Sequence, residues 1–379
     1  MGVLATEAER ERLVADFTRY CEIESPSTRE RPMADAVAAD LVDMGLEVTE
    51  DDSGAATGSD SGNLTARVPG PEGARTVLLC AHLDTVPLAA PVEVEREGGV
   101  LRNRNEAILG ADNKAAVATI LGAARHLIDR GGPPVGLELV FTTMEEPGLI
   151  GAKEVDRHAL RSEFGFVFDH ATPIGELIVA APTYYRLNAR FTGVAAHAGM
   201  EPELGRSAIE AASRAIASMR LGRLDDQTTA NAGVIHGGTA KNVVAERCEI
   251  EMEARSLDDA TAGTIVGEMV DRCSDAAGEV ECDVDTTVEQ LSRAFKLART
   301  ASPVRAACAA LEELGIEPVP RSTGGGSDAN VLIAAGLPVL NVANGTERAH
   351  QPDESVTVEA LERMLDLTVA IVRHSAAVE

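Results

Sequence analysis

In Cys80-Ala81-His82-Leu83-Asp84-Thr85-Val86-Pro87 an imidazole and a carboxylate sit two residues apart, directly after the apolar run Val77-Leu78-Leu79. The run reads as a buried strand that carries both groups to its C-terminal tip, where open α/β sheets bind ligands. A His ligand beside an orienting carboxylate recurs in metal sites, although a satisfied polar pair is the plainer reading of these two alone. Four further segments supply matching groups. Asp112 stands in Gly110-Ala111-Asp112-Asn113-Lys114, Glu145-Glu146 and Asp169 each follow an apolar strand, and His350 lies in Arg348-Ala349-His350-Gln351-Pro352-Asp353-Glu354. Carboxylates gathered at one sheet edge repel each other, and bound cations relieve the repulsion. Two imidazoles and three carboxylates suit two divalent ions with one carboxylate bridging. The mixed nitrogen and oxygen donors favour zinc and admit cobalt or manganese. Neighbouring side chains at a strand end point different ways, so one of Glu145 and Glu146 can bind metal while the other takes a proton from metal-bound water.

The elements that must position these groups follow from periodicity. Helical spacing of apolar residues covers Ala8 to Cys21 and Pro32 to Met44, and an Ala-rich helix covers Asn113 to Ile128. Strands are expected at Asn63 to Val68, Thr76 to Ala81, Gly136 to Thr142 and Phe164 to Phe168, and Asp51 to Gly62 is expected to be a loop. Alternation of strands and helices points to an α/β core. After Pro182 the pattern changes to strands at Tyr185 to Thr192, Ala232 to His236, Arg247 to Arg255 and Val280 to Val288, with helices at Ser207 to Ser218 and Asp258 to Ala276. This βαββαβ order describes a separate α+β domain. The α/β style returns from Ala301, with a helix to Leu314, a turn at Gly324 to Gly326 and a strand at Pro338 to Val342. The parse is one α/β domain, 1–181 and 294–379, interrupted by an inserted domain, 182–293.

A chain of 379 residues buries a sizeable core and has room for two or three domains. Its formal charge of −27 argues against nucleic acid and anionic membranes as partners. The acids are scattered, and the lysines are only Lys114, Lys153, Lys241 and Lys296, the other basic residues being arginine. Such a surface fits a salt-rich cytosol, because molar salt shortens the Debye length to about 3 Å and screens self-repulsion. No apolar run is long enough to span a bilayer, and Met1 to Arg12 has no apolar leader core, so a cytoplasmic location is expected. The six cysteines form no C-x-x-C pair and read as buried free thiols.

Three motifs together resemble the co-catalytic zinc family of aminoacylases, carboxypeptidases and tripeptidases, with the closest likeness to peptidase T and its relatives. They are His82-Leu83-Asp84-Thr85-Val86-Pro87, Gly110-Ala111-Asp112-Asn113-Lys114 and Met144-Glu145-Glu146-Pro147-Gly148-Leu149-Ile150-Gly151-Ala152-Lys153. The likeness continues through Ala195-Ala196-His197-Ala198-Gly199 to Gly205-Arg206-Ser207-Ala208-Ile209. It implies a catalytic domain with a mixed sheet flanked by helices, interrupted by a ferredoxin-like dimerisation or lid domain. It also implies roles. His82 and Asp169 would complete one zinc site and Glu146 and His350 the other, with Asp112 bridging. Asp84 would orient His82, Glu145 would be the general base, and His197 would stabilise the oxyanion. Asn242, Arg255, Gly325 and Gly326 would contact substrate. Relatives often carry Gly where His170 follows Asp169, which leaves His170 as a competing ligand or a strand cap. The implied activity is a di-zinc exopeptidase, a tripeptide aminopeptidase, working as a homodimer through the inserted domain on short peptides. An N-acyl amino acid deacylase or carboxypeptidase of the same family, and a non-catalytic peptide-binding homologue, are the alternatives.

Overall fold

A computed structural model describes residues 5–378; residues 1–4, part of the polar N-terminal stretch, and residue 379 lie outside the described residues. The chain divides into two compact units. The larger holds the chain up to Ala180, Lys296–Ser322, and the chain from Ser327 onward. The smaller holds Ala181–Phe295 and a four-residue return segment, Thr323–Gly326.

The larger unit is built on a mixed sheet in the order Val48–Glu50, Leu64–Val68, Gly136–Thr142, Thr76–His82, Phe164–Val167, Val339–Val342, Glu176–Ala181. The four strands from Gly136–Thr142 to Val339–Val342 run parallel. Nearly every residue in them is buried, as a parallel sheet covered on both faces requires. Because they are parallel, their C-terminal tips share one edge, and His82, Thr143–Glu146 and Asp169 all leave from it. The Ala-rich helix Ala111–Asp129 packs on the Thr76–His82 strand, and its small side chains let Glu7–Cys21 and Val358–Ser375 pack closely against it.

A second, small sheet orders Thr346–Glu347, Ser355–Thr357, Val100–Asn103 and Val94–Glu97. The sequence reading passed over the last two, which are short and charged. This sheet sets the segment before Asp112 beside the loop that carries His350. Two other expectations are corrected. The stretch Asp51 to Gly62 is not all loop, since Ser53–Thr57 forms a helical turn whose first amide donates to the Asp51 carboxylate at 3.0 Å. The strand expected at Val280 to Val288 is Asp283–Ser292, because the preceding helix runs on to Glu279 and residues 280–282 form the turn after it, with Glu281 at a φ of 55°.

The smaller unit is an antiparallel sheet in the order Gly222–Asp225, Thr228–Gly237, Arg247–Ser256, Thr183–Thr192, Asp283–Ser292. The helices Ala208–Ser218 and Asp259–Glu279 pack together on one face over an apolar core. Without its edge strand Gly222–Asp225, the unit has the ferredoxin-like order. Ser207 and Asp258 cap the two helices by accepting the Glu210 and Thr261 amides.

Two predictions follow from the charges. Exposed arginine–carboxylate pairs such as Arg104–Glu93, Arg190–Glu249 and Arg214–Glu279 each contribute little, and salt weakens them. The chain nevertheless holds 61 acids against 34 basic residues. Screening of net repulsion therefore dominates, and the melting temperature measured by calorimetry rises between 0.1 and 2 M KCl. Glu9 ties helix Glu7–Cys21 to Arg130 at 2.7 Å and His126 at 3.0 Å. Burial alone would raise its carboxyl, but Arg130 and Thr6 overcome this and hold it at about 2. The folded value lies below the unfolded one, so the contribution is full above pH 4.5 and is lost as pH falls toward 2. Glu9→Gln costs about 1–3 kcal/mol in urea titrations at pH 7, and the gap to the wild type closes on acidification.

Candidate metal centre

Two trios of donor groups lie within reach of a common ion, His82 with Asp112 and Asp169, and Asp112 with Glu146 and His350. His82 Nε2 is 3.5 Å from Asp112 Oδ1 and 3.7 Å from Asp169 Oδ1. His350 Nε2 is 3.4 Å from Asp112 Oδ2 and 3.0 Å from Glu146 Oε1. Asp112 thus turns one oxygen to each trio. Glu145, 8% exposed, belongs to neither, and neither does His170, whose carbonyl accepts the Thr172 and Asn344 amides.

Thr143–Glu146 and Asp169 lie beyond the ends of their strands, so this backbone must find partners outside the ladder. Buried side chains supply them. The consecutive amides of Thr143, Met144, Glu145 and Glu146 donate to Asn63 Oδ1 at 3.0 Å, Glu30 Oε1 at 3.1 Å, Asp84 Oδ1 at 3.0 Å and Asp84 Oδ2 at 3.2 Å. This clamp holds Met144 at a φ of 54°, a left-handed conformation that a long side chain rarely adopts. Gly151 closes the loop from the other side, and a Cβ there would lie 2.0 Å from the Thr143 carbonyl oxygen. Asn341 does the same for Asp169, accepting its amide at 3.0 Å and donating to its carbonyl at 2.8 Å. None of Glu30, Asn63 and Asn341 was singled out from sequence. Each looks like an ordinary polar residue, and only burial gives it away.

Asp84 has a broader part than orienting a ring. His82 Nδ1 donates to the Asp84 backbone oxygen at 2.9 Å, while the nearer carboxylate oxygen is 3.4 Å away. The carbonyl can only accept, so Nδ1 carries a proton, and Nε2, directed at Asp112 and Asp169, is the nitrogen whose lone pair a cation would meet in the neutral ring. The carboxylate instead carries the Glu145-Glu146 turn and takes the Ser27 hydroxyl at 2.7 Å.

The electrostatics suit cations. Burial would lower the His82 pKa, but Asp112, Asp169 and Asp84 together lift it well above its ordinary value. His350 is raised to about 10 by Asp112 and Glu146. Burial and then Asp169 push Glu145 well above the carboxylate range, and burial likewise takes Asp328, hydrogen-bonded to Thr142, up to about 7. The carboxylates therefore cannot all be ionised without added positive charge. Asp112 Oδ1 is buried with no hydrogen-bond partner among the described residues. An orphaned carboxylate oxygen between imidazoles, in a nitrogen and oxygen donor set, fits divalent ions.

The remaining sequence-predicted residues lie on the smaller unit in two groups. The turn holding exposed His197 pairs with the one holding Asn242, as the Ala198 amide donates to the Asn242 carbonyl at 3.0 Å. His197 Nδ1 accepts the Gly199 amide at 3.2 Å, which leaves the ring proton on Nε2. Arg255 stacks 3.9 Å over the Tyr184 ring and donates to the Gly324 carbonyl at 2.9 Å, beside Gly325 and Gly326.

Comparisons with known proteins cover nearly the whole chain. Residues 78–374 match the model of peptidase family M20/M25/M40. The chain is 35% identical to an uncharacterized protein of Bacillus subtilis strain 168, YqjE, over 96% of this chain and 98% of that one. Among solved structures it is similar to aminopeptidase PepT from Bacillus cereus ATCC 10987, with 37% identity, a TM-score of 0.87 and coverage of 97% and 99%. It is also similar to a tripeptidase from Staphylococcus aureus, with 31% identity, a TM-score of 0.93 and coverage of 99% and 100%.

The clamp makes Asp84 testable apart from its ring. Asp84→Asn offers one acceptor oxygen where two amides need one each, so a buried N–H at Glu145 or Glu146 loses its partner. The expected cost is about 1–3 kcal/mol in urea unfolding, with a loss of peptidase activity. An unaltered denaturation midpoint would contradict the clamp.

Proposed function

Because the chain belongs to peptidase family M20/M25/M40 and is a metallopeptidase, we propose that it is a di-zinc aminopeptidase acting on short peptides, tripeptides foremost. The observation that carries the di-metal reading is Asp112, with one oxygen in each donor trio. His82, Asp112 and Asp169 would hold one ion and Asp112, Glu146 and His350 the other. Bound there, the ions would supply positive charge that polarises the scissile carbonyl and eases deprotonation of water. Glu145 then has the general-base role. It is buried beside the trios, engaged by neither, and fixed at its backbone by Asp84. It accepts a proton from the attacking water and returns it to the leaving amine. His197, with its proton on Nε2, is the proposed donor to the oxyanion. Asn242, Arg255, Gly325 and Gly326 are the proposed substrate contacts, and the guanidinium of Arg255 suits a peptide carboxylate.

Among the described residues no helix is long and apolar enough to cross a membrane. A cytoplasmic location is part of the proposal and rests on the likeness to the peptidases above. The smaller unit's sheet exposes Val234, Ile235 and Val288, which supports a homodimer through that unit, to be checked by light scattering.

Two measurements test the function. Glu145→Gln should bind metal as the wild type does and lose at least about a thousandfold in kcat; undiminished turnover removes Glu145 from the mechanism. In molar KCl with zinc, the wild type should release the N-terminal residue of tripeptides faster than it cleaves N-acyl amino acids. The reverse preference would identify an amidohydrolase, and no hydrolysis of either would identify a binding protein.

A further inference from the structure

We propose that Glu354 is the positioning residue of the bridging carboxylate, its side chain fixing Asp112 for both metal sites at once. The inference rests on the metal-dependent reading of the site.

Glu354 is 1% exposed. Its Oε2 accepts the amides of Leu109 and Gly110, each at 2.8 Å, and its Oε1 accepts the amide of Asp112 at 2.9 Å. Among the described residues no other side chain accepts these amides. Gly110 is left-handed at a φ of 75°, and Asp112 and Asn113 depart from helical angles, so the helix ladder does not set their direction. A carboxylate held by three N–H groups is instead the fixed point from which the Asp112 side chain projects. Glu354 also shares its loop with His350, which faces Asp112 Oδ2. One five-residue segment, tethered by the Glu354 amide on the Gln351 carbonyl, thus supplies a ligand and locks the ligand opposite it. Asp84 also touches both trios, but through a different ligand in each, the His82 ring and the Glu146 amide. Asn341 reaches one trio only, through Asp169. Among the described residues Glu354 alone accepts the amide of the residue common to both trios, so its loss reaches both ions.

The experiment titrates metal-free protein with Co2+, following its d–d absorption and the heat of binding. The wild type should bind two equivalents. Glu354→Gln presents an NH2 group where the amides need an acceptor, and it should weaken both binding steps by about 10- to 100-fold. Asn341→Ala should weaken one step only. Glu354→Asp, which draws the carboxylate back by a methylene, should repeat the loss in both steps if E354Q does not fold. Two binding steps of wild-type affinity in E354Q, or a loss confined to one step, would overturn the assignment and leave the proposed function standing. A lower melting temperature of the metal-free variant with both steps intact would mean a structural role only and overturns it equally. A wild type that binds no Co2+ would overturn the metal reading itself.

Discussion

Backbone that leaves a strand tip loses its ladder partners, and in this protein Glu145, Glu146 and Asp169 all stand on such backbone. Its amides cannot be left dry. A buried N–H without an acceptor costs about 1–3 kcal/mol, and a run of four would consume much of the stability of an ordinary domain. Buried Asn63, Glu30, Asp84, Glu354 and Asn341 accept those amides, and by doing so they aim the groups that follow. Satisfying the backbone and orienting the site are one interaction. It also explains why so many acids are buried where only some can meet a metal. Those facing amides set geometry, and those facing imidazoles set charge.

The division of labour within two adjacent residues shows how far this reaches. Glu145 and Glu146 share one clamp, the two oxygens of Asp84, yet one side chain enters a donor trio and the other stays out of both. The backbone is common and the directions differ, so the spacing between the proposed base and the proposed ligand is set by covalent geometry and not by flexible packing. The His82 ring is tied to the same residue through its carbonyl. Strand tip, ring and turn therefore share a single anchor.

Much of this was legible in the sequence because it repeats patterns with a physical cause. Apolar runs ending in His82, Glu145-Glu146 and Asp169 announced parallel strands opening on one edge, and alternation after Pro182 announced the second unit. The donor set could be assembled because its residue types are scarce and chemically marked. The clamps could not. Asn63, Glu30 and Asn341 are common surface types, and nothing local says that they are buried. Glu354 stood in view four residues from His350, but its job depends on amides some 240 residues away. The strands Val94–Glu97 and Val100–Asn103, which bring those amides close, are too short and too charged to declare themselves.

The interruption of the larger unit also shapes how the chain comes into being. When Ala181 leaves the ribosome, the sheet still lacks Val339–Val342, and the Ala-rich helix still lacks the cover of Val358–Ser375. Synthesis of Ala181–Phe295 then occupies roughly ten seconds at ordinary elongation rates, during which that segment has all its own strands and helices. The nascent protein thus completes its middle before its beginning. For that interval the apolar strand Phe164–Val167 lacks its neighbour Val339–Val342 and the helix Ser302–Glu313 that packs on it, a window open to chaperone capture.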